Sequence, residues 1–570
     1  MRQPGGQLLV ACLVEQGVDV VFGVPGESYL AVLDGLHAWQ HAIRFVTNRQ
    51  EAGSVFMADA HARLSGRPGV CMVTRGPGAA NAAIGLHTAF QDSVPLVMLV
   101  GDVASDTRDR EAFQEIDFAS FFGPTTKGLA KRVERVDHAD RIPEYVARAF
   151  ATAMQGRPGP VVLVLPEDML TAPTAAQPVP RVEPAAAAPT AATMQAIAQR
   201  LAQAQQPLVI VGGPGWTPQA AQDLQNFAQA WQLPVANAFR AQDTFDNHHP
   251  CYAGDAGIGI APDLAQAIRQ ADVVLALGCR LGEMTTSGYT LLEPPNPTQT
   301  LLHLHPAADE LNRVYHAQVA GICSMSEAAL ALAATPAPAM IPWQGHTERL
   351  RQAYLDNLKP PASSFPLNLA EVVQTCQQLL PANAVLSNGA GNFAGWLHRF
   401  FCYHGWSKGH RTQLAPTVGA MGYGVPAGIA ANLVTGRTVL TFTGDGDFLM
   451  NGQELATAMQ HGGRSVIVLL NNGMFGTIRM HQEREYPTHV SGSTLRNPDF
   501  CALAQAYGYA AERITQTADF EPALLRALQR DHGTLIELPI DPEQITSRTT
   551  LQAIRERSLQ QQSSTAQQEP

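Results

Sequence analysis

Gly444, Asp445 and Gly446 are followed, after 24 intervening residues, by Asn471 and Asn472. An aspartate and an amide at this spacing have a specific chemical use. Val439 to Thr443 is β-branched and apolar and predicts a buried strand. It empties into a turn whose two glycines leave the backbone open to close approach by a ligand. Asn451 with Glu454 three residues on predicts a capping box at a helix start, and Gly462-Gly463 predicts its end. Ser465 to Leu470 predicts a second strand. Strand, helix and strand of this length form a right-handed crossover, which places Asp445 and Asn472 side by side at one sheet edge. Their oxygens suit a hard cation such as Mg²⁺, with a diphosphate completing the coordination. The alternative is a turn aspartate and a strand-end amide with no ligand.

A second group of reactive residues lies near the start of the chain. Glu51 follows a strand ending at Phe45-Val46, and Gly23-Val24-Pro25-Gly26 closes the strand Val18 to Phe22. Val70 to Val73 leads into Arg75-Gly76-Pro77-Gly78-Ala79-Ala80-Asn81, and Leu96 to Val100 is a further strand. The unusual residues all fall at carboxyl ends of strands, where open α/β sheets bind ligands. Taken alone, Glu51 is equally a charge favoured at a helix N-terminus.

The elements that must position these groups are three α/β domains with parallel sheets, as 570 residues suggest. The expected division is a first domain over 1–171 and a Pro/Ala/Thr-rich linker over 172–193. A central Rossmann-like domain follows over 194–335, then a Pro-rich connector over 336–364. A third domain over 365–545 and a fraying tail over 546–570 complete it. The tail lacks the Lys/Arg cluster a coenzyme A tail would want. In the central domain, Gly212-Gly213-Pro214-Gly215 after a strand falls short of the full dinucleotide fingerprint.

A net charge of −11 without a basic run argues against a nucleic-acid partner. The eight cysteines form no CxxC pair, so neither zinc nor a disulfide framework is indicated, which fits a reducing cytoplasm. No apolar span is long enough to cross a membrane, and Leu8 to Val14 reads as a first amphipathic helix rather than a signal peptide.

The GDG…NN spacing resembles the diphosphate-binding signature of thiamine-diphosphate enzymes. With it stand GVPG at 23–26, Glu51, the GPGAAN loop, FQDSVPLVMLVGD and Phe113-Gln114-Glu115. Together these are similar to the acetolactate-synthase-like branch of that family. The resemblance implies a pyrimidine-binding first domain, a diphosphate-binding third domain, and active sites between the subunits of a homodimer or homotetramer. It implies that Asp445, Asn472 and the Met474 carbonyl hold Mg²⁺, with Gly444, Gly446, Asp447, Gly391 and Asn392 around the diphosphate. Met421 would part the two rings, the Gly419 carbonyl would accept from the 4′-amino group, and Pro25 and Asn81 would line the pyrimidine side. Glu51 would exchange a proton at the pyrimidine, and Gln114 would face the reacting carbon. Arg157 and Arg280 match flavin-touching positions, and the central domain of relatives holds FAD, ADP or nothing.

The implied activity is decarboxylation of a 2-oxo acid followed by ligation to a carbonyl acceptor. A His-His pair typical of simple 2-oxo acid decarboxylases is missing, which favours ligation. Several positions depart from the acetolactate pattern: Arg75 for Ser, Glu167 for Lys, His481 for Trp, and Ala390-Gly391 for Gln-His. His481 is either an acceptor-pocket residue or a surface helix residue. A lyase, decarboxylase or C–C hydrolase on another 2-oxo acid or 1,2-diketone is the second reading. A non-catalytic binding or regulatory relative is the third, and it gives no physical reason for Glu51, Asp445 and Asn472 to coexist.

Overall fold

The computed structural model describes residues 2–123 and 128–566. Three six-stranded sheets follow one another along the chain, all of their pairings parallel. The first contains β1 (Val20–Gly23), β2 (Arg44–Thr47), β3 (Gly69–Val73), β4 (Leu96–Asp102), β5 (Arg132–Arg135) and β6 (Pro160–Pro166). The central sheet contains β7 (Pro207–Val211), β8 (Val235–Ala238), β9 (Tyr252–Ala256), β10 (Val273–Leu277), β11 (Thr300–His305) and β12 (Val319–Ile322). The third contains β13 (Val385–Asn388), β14 (Gln413–Leu414), β15 (Val439–Gly444), β16 (Val466–Asn471), β17 (Ala510–Arg513) and β18 (Thr534–Pro539).

The inner strands are apolar because both faces of each sheet are covered there, while edge strands such as β5 and β17 carry charged residues. In β3, Cys71 and Val73 enter one core while Val70 and Met72 enter the other. The first and third sheets share one strand order, β2-β1-β3-β4-β6-β5 and β14-β13-β15-β16-β18-β17. The central sheet runs β9-β8-β7-β10-β11-β12, the doubly wound dinucleotide order. In each case the strand order reverses beside the first strand. The crevices therefore lie between β1 and β3, β7 and β10, and β13 and β15.

Helices α1 (Glu51–Ser65) and α2 (Gly76–Asp92) follow β2 and β3. One core joins the first and third layers: Val55 and Phe56 of α1 share it with Tyr423, Ile429 and Phe448. Phe56 and Tyr423 meet edge to face with ring centroids 5.3 Å apart.

Three expectations need correction. The stretch 336–364 is not merely a connector, since α3 (Gln344–Asn357) occupies its middle. Trp343, Leu350 and Tyr354 recur at helical spacing and bury one face, and the Trp343 indole donates to the Trp231 carbonyl at 3.0 Å. The helix expected to start at Asn451 instead starts at the strand end: α4 (Gly424–Thr435) precedes β15, and α5 (Asp445–Asn451) leaves it directly. A short 3-10 turn then leads to α6 (Leu455–His461). Asn451 caps nothing because its amide is drawn to the Gly422 carbonyl, and Glu454 turns to the first domain instead.

The tail does not fray over its whole length. After α7 (Gly476–Glu485), residues 551–566 form α8 (Leu551–Ala566), which lies along α7. Arg555 donates to both carboxylate oxygens of Glu483 at 2.7 Å, and Leu551 and Ile554 join Met474 and Ile545 in a small apolar cluster. Within 172–193, Pro173–Thr174 pairs with Gln3–Pro4, and Gln16 holds the extended chain by its amide. Thr190 caps a helix beginning at Ala191.

Candidate active site

The turn after β15 and the end of β16 meet as the crossover requires, with Gly444 in register with Leu470. They wall a cavity of about 230 Å³ in the β13/β15 crevice. Gly391, Asn392, Gly419, Met421, Gly444, Asp445, Gly446, Asp447, Asn472 and Met474 all line it.

Asp445 is 3% exposed, and burial pushes its carboxyl above the usual carboxylate range. Among the described residues no cationic side chain pairs with it. It accepts a hydrogen bond from the Asn497 amide at 2.7 Å, and the same amide donates to the Asn471 side-chain Oδ1 at 2.9 Å. Asn472 accepts from the Met474 N–H at 3.2 Å, which folds the chain back so that both residues border the cavity. A buried carboxylate without a cation, an amide and main-chain carbonyls make an all-oxygen donor set that fits Mg²⁺.

Asp447 has a different task. Its carboxylate accepts from the N–H groups of Ala390 at 3.1 Å and Gly422 at 2.8 Å, and from the Thr443 hydroxyl at 2.7 Å. It fastens the two loops that carry Gly391 and Met421 to the Gly444–Gly446 turn. Burial pushes it up to about 6. Gly389 must be glycine here, because a Cβ would come within 2.1 Å of the Asp447 carboxylate. Asn392 is held by Thr477, exchanging hydrogen bonds at 3.0 and 3.1 Å.

The first-domain group assembles at the β1/β3 crevice. Glu51 opens α1, is 8% exposed and accepts from the Asn81 amide at 2.9 Å. The Gln114 carbonyl accepts from the Gly76 N–H at 3.0 Å, and Gln114 itself has φ +66° in a loop capped by Glu115. Arg75 is buried and bridges Glu27 at 3.0 Å and Glu167 at 2.9 Å. None of Pro25, Glu51, Asn81 or Gln114 lines the 444–472 cavity of the same chain. His481 stands exposed on α7 beside Arg484, outside the cavity.

A second cleft occupies the β7/β10 crevice. Gly213, Gly278, Arg280 and His305 line it, together with Asp92 and Thr417. Gly213 has φ +71°, and a Cβ there would sit 1.8 Å from the Gly278 carbonyl oxygen, so the two turns abut closely. His305 is fully buried, and among the described residues its Nε2 has no hydrogen-bond partner. Arg157 does not reach this cleft: it pairs with Glu310 at 2.9 Å and stacks on Phe90.

Sequence reasoning missed the residues that tie the parts together. Asp92 accepts from the Thr417 N–H, binds the Thr417 hydroxyl and pairs with Arg63, anchoring the loop that leads to Gly419 and Met421. Asn497 precedes a proline and reads as an ordinary turn residue.

Three family models match the chain. They describe the thiamine pyrophosphate enzyme N-terminal TPP binding domain over residues 3–121, the central domain over 194–332, and the C-terminal TPP binding domain over 389–538. The chain is 32% identical over 547 residues to the acetolactate synthase isozyme 3 large subunit of Escherichia coli (strain K12), covering 92% of each. It is 30% identical to the isozyme 2 large subunit of the same organism, covering 94% of this chain and 95% of that protein. A probable acetolactate synthase large subunit of Methanocaldococcus jannaschii is 28% identical, over 94% of this chain and 92% of that protein.

Proposed function

The chain belongs to the thiamine pyrophosphate enzymes and is a thiamine-diphosphate-dependent carboligase, and on that premise we propose that it joins the fragment left from a decarboxylated 2-oxo acid to a second carbonyl compound. The observation that carries this reading is the buried, cation-free Asp445 beside Asn472 in a cavity walled by glycines.

Asp445, Asn472 and the Met474 carbonyl would hold Mg²⁺, which would supply positive charge to neutralise the diphosphate. Gly391 and Asn392 receive the diphosphate oxygens, and Asp447 keeps their loop in register with the metal turn. Thiamine diphosphate supplies the electron sink that carbon–carbon cleavage needs. Met421 would lie against the cofactor's rings, and the Gly419 carbonyl would be an acceptor for its exocyclic amine. Glu51, oriented by Asn81, holds and returns a proton at the pyrimidine ring nitrogen. Gln114 hydrogen-bonds the reacting carbonyl oxygen.

Since the Glu51 edge lies outside the cavity of its own chain, it completes the cavity of a second copy, making a homodimer the minimum active unit. The central cleft suits a flavin dinucleotide, with Gly213 and Gly278 allowing close approach, Arg280 at its border and the free Nε2 of His305 as a polar contact. An absorption spectrum of the purified protein tests this directly.

One observation favours a narrower acceptor. Arg75 lies between two carboxylates that already neutralise its charge, so it does not attract the carboxylate of a second 2-oxo acid. An aldehyde or ketone without a carboxylate is the acceptor this arrangement favours.

The central test is Glu51→Gln, which keeps shape but not proton exchange. The variant should bind thiamine diphosphate and Mg²⁺, while exchange of the thiazolium C2 proton, read by NMR after acid quench, slows ~10²–10⁴-fold. An unchanged exchange rate removes Glu51 from the mechanism.

A further inference from the structure

Asp246, His248 and His404 meet on the surface where the central domain touches the third. Asp246 and His248 follow the turn after β8, and His404 sits in the loop between β13 and β14. The Nδ1 atoms of both histidines face the one carboxylate, His248 at 3.0 Å from Oδ1 and His404 at 3.3 Å from Oδ2. The two rings stack with centroids 3.9 Å apart.

The backbone beneath them is fixed before any ligand arrives. The buried Asn247 donates its N–H to the Tyr403 carbonyl and accepts the Tyr403 N–H, both at 2.9 Å. The Ser407 hydroxyl donates to Asp246 Oδ2 at 2.7 Å and holds the carboxylate in orientation. Ligands at ~2.0–2.1 Å around a tetrahedral cation stand ~3.3 Å apart, close to the two nitrogen–oxygen separations observed. The side chains are 15% (Asp246), 23% (His404) and 44% (His248) exposed, so a cation can enter and a water can complete the shell. Because the rings are stacked, each must turn about its Cβ–Cγ bond to aim its Nδ1 lone pair at one point, and partial exposure leaves room for that.

We propose that Asp246, His248 and His404 form a binding site for a divalent transition metal of the zinc class, separate from the Asp445 site. Two imidazole nitrogens and one carboxylate oxygen suit Zn²⁺, Ni²⁺ or Cu²⁺ and are poor ligands for Mg²⁺. The bound cation would clamp the central domain to the third through residues that take no part in the carboligation chemistry.

The test uses the full-length enzyme loaded with thiamine diphosphate and saturating Mg²⁺, stripped of other metals and titrated with Zn²⁺ by calorimetry. One Zn²⁺ per chain should bind with micromolar or tighter affinity and raise the midpoint of thermal unfolding. His404→Ala and His248→Ala should each weaken binding at least tenfold and abolish that rise, leaving carboligase activity at the wild-type level. Co²⁺ in place of Zn²⁺ should give the intense visible bands of a tetrahedral site in the wild type only. No Zn²⁺ uptake by the Mg²⁺-loaded wild type, or uptake that both histidine variants retain, overturns the proposal.

Discussion

The carboxylate of Glu454, at the end of the segment that follows the metal turn, accepts the main-chain N–H groups of Arg49 at 3.0 Å and Gln50 at 3.1 Å. Those residues immediately precede Glu51, and Glu454 also takes the Asn48 amide at 3.0 Å while being fully buried. One chain thus uses the segment after the Gly444–Gly446 turn to set the position of its own Glu51, the glutamate proposed to exchange a proton. Glu454→Ala leaves buried donors unsatisfied at about 1–3 kcal/mol each. It should lower kcat about 10²-fold, the scale of an ångström-sized misplacement, while Mg²⁺ and thiamine diphosphate affinity changes little. A variant with full kcat would show that Glu51 is positioned without Glu454.

Asp445→Ala should remove the carboxylate that stands beside Asn472 and leave the fold intact, because among the described residues no ion pair depends on it and its side-chain partner is the Asn497 amide. Thiamine diphosphate and Mg²⁺ affinities should fall together by at least tenfold, and activity should vanish after chelation and dialysis. Retained activity under those conditions would reassign the metal site.

The Arg75 ion pairs predict acceptor choice. With pyruvate alone the enzyme should form little acetolactate, and adding aldehydes or 1,2-diketones should raise product formation, read by mass. Efficient acetolactate formation from pyruvate, unimproved by any acceptor in the panel, would count against this reading. Glu167→Lys should move the preference back toward a carboxylate-bearing acceptor, since it places two cations where a cation and a carboxylate now pair.

His305 should make the protein acid-sensitive. Burial holds its imidazole down to about 4, whereas an unfolded histidine titrates near ~6.5. Between these values the unfolded chain takes up a proton that the folded chain does not. Stability is therefore fully present above pH ~6.5 and is lost as pH falls toward 4, by about 3 kcal/mol at the lower end. His305→Gln should flatten the denaturation midpoint across that window. A slope identical to the wild type would mean that other groups carry the acid response.

Strands such as β1, β3, β4, β15 and β16 were legible because sheets covered on both faces leave uninterrupted apolar runs, and their ends because Gly, Asp and Asn interrupt them; the charged edge strands β5 and β17 were not. Asp445 and Asn472 could be placed on the cavity because local spacing alone brings them to the same sheet edge, whereas Met421 was placed by resemblance. What stayed hidden depends on long-range packing. Nothing near Glu454 in sequence announces Asn48, and nothing near Asp92 announces Thr417. The α3 and α8 helices were obscured for a different reason: their composition is polar or proline-flanked, and each becomes a helix by laying a few apolar residues on a surface built elsewhere. His481 shows the reverse case, where a plausible motif position faces solvent.

The core shared by the first and third layers bears on how the chain acquires its structure. Val55 and Phe56 complete their packing only against residues near 423–448, so the segment that leaves the ribosome first waits for one of the last. The central layer, closed over its own sheet, can fold while synthesis continues. Until the third layer arrives, the apolar face of α1 is exposed, and closing it requires a loop of several hundred residues. Refolding from denaturant should therefore be slow and prone to aggregation at the first layer, and a fragment ending before residue 365 should need a chaperone to remain in solution.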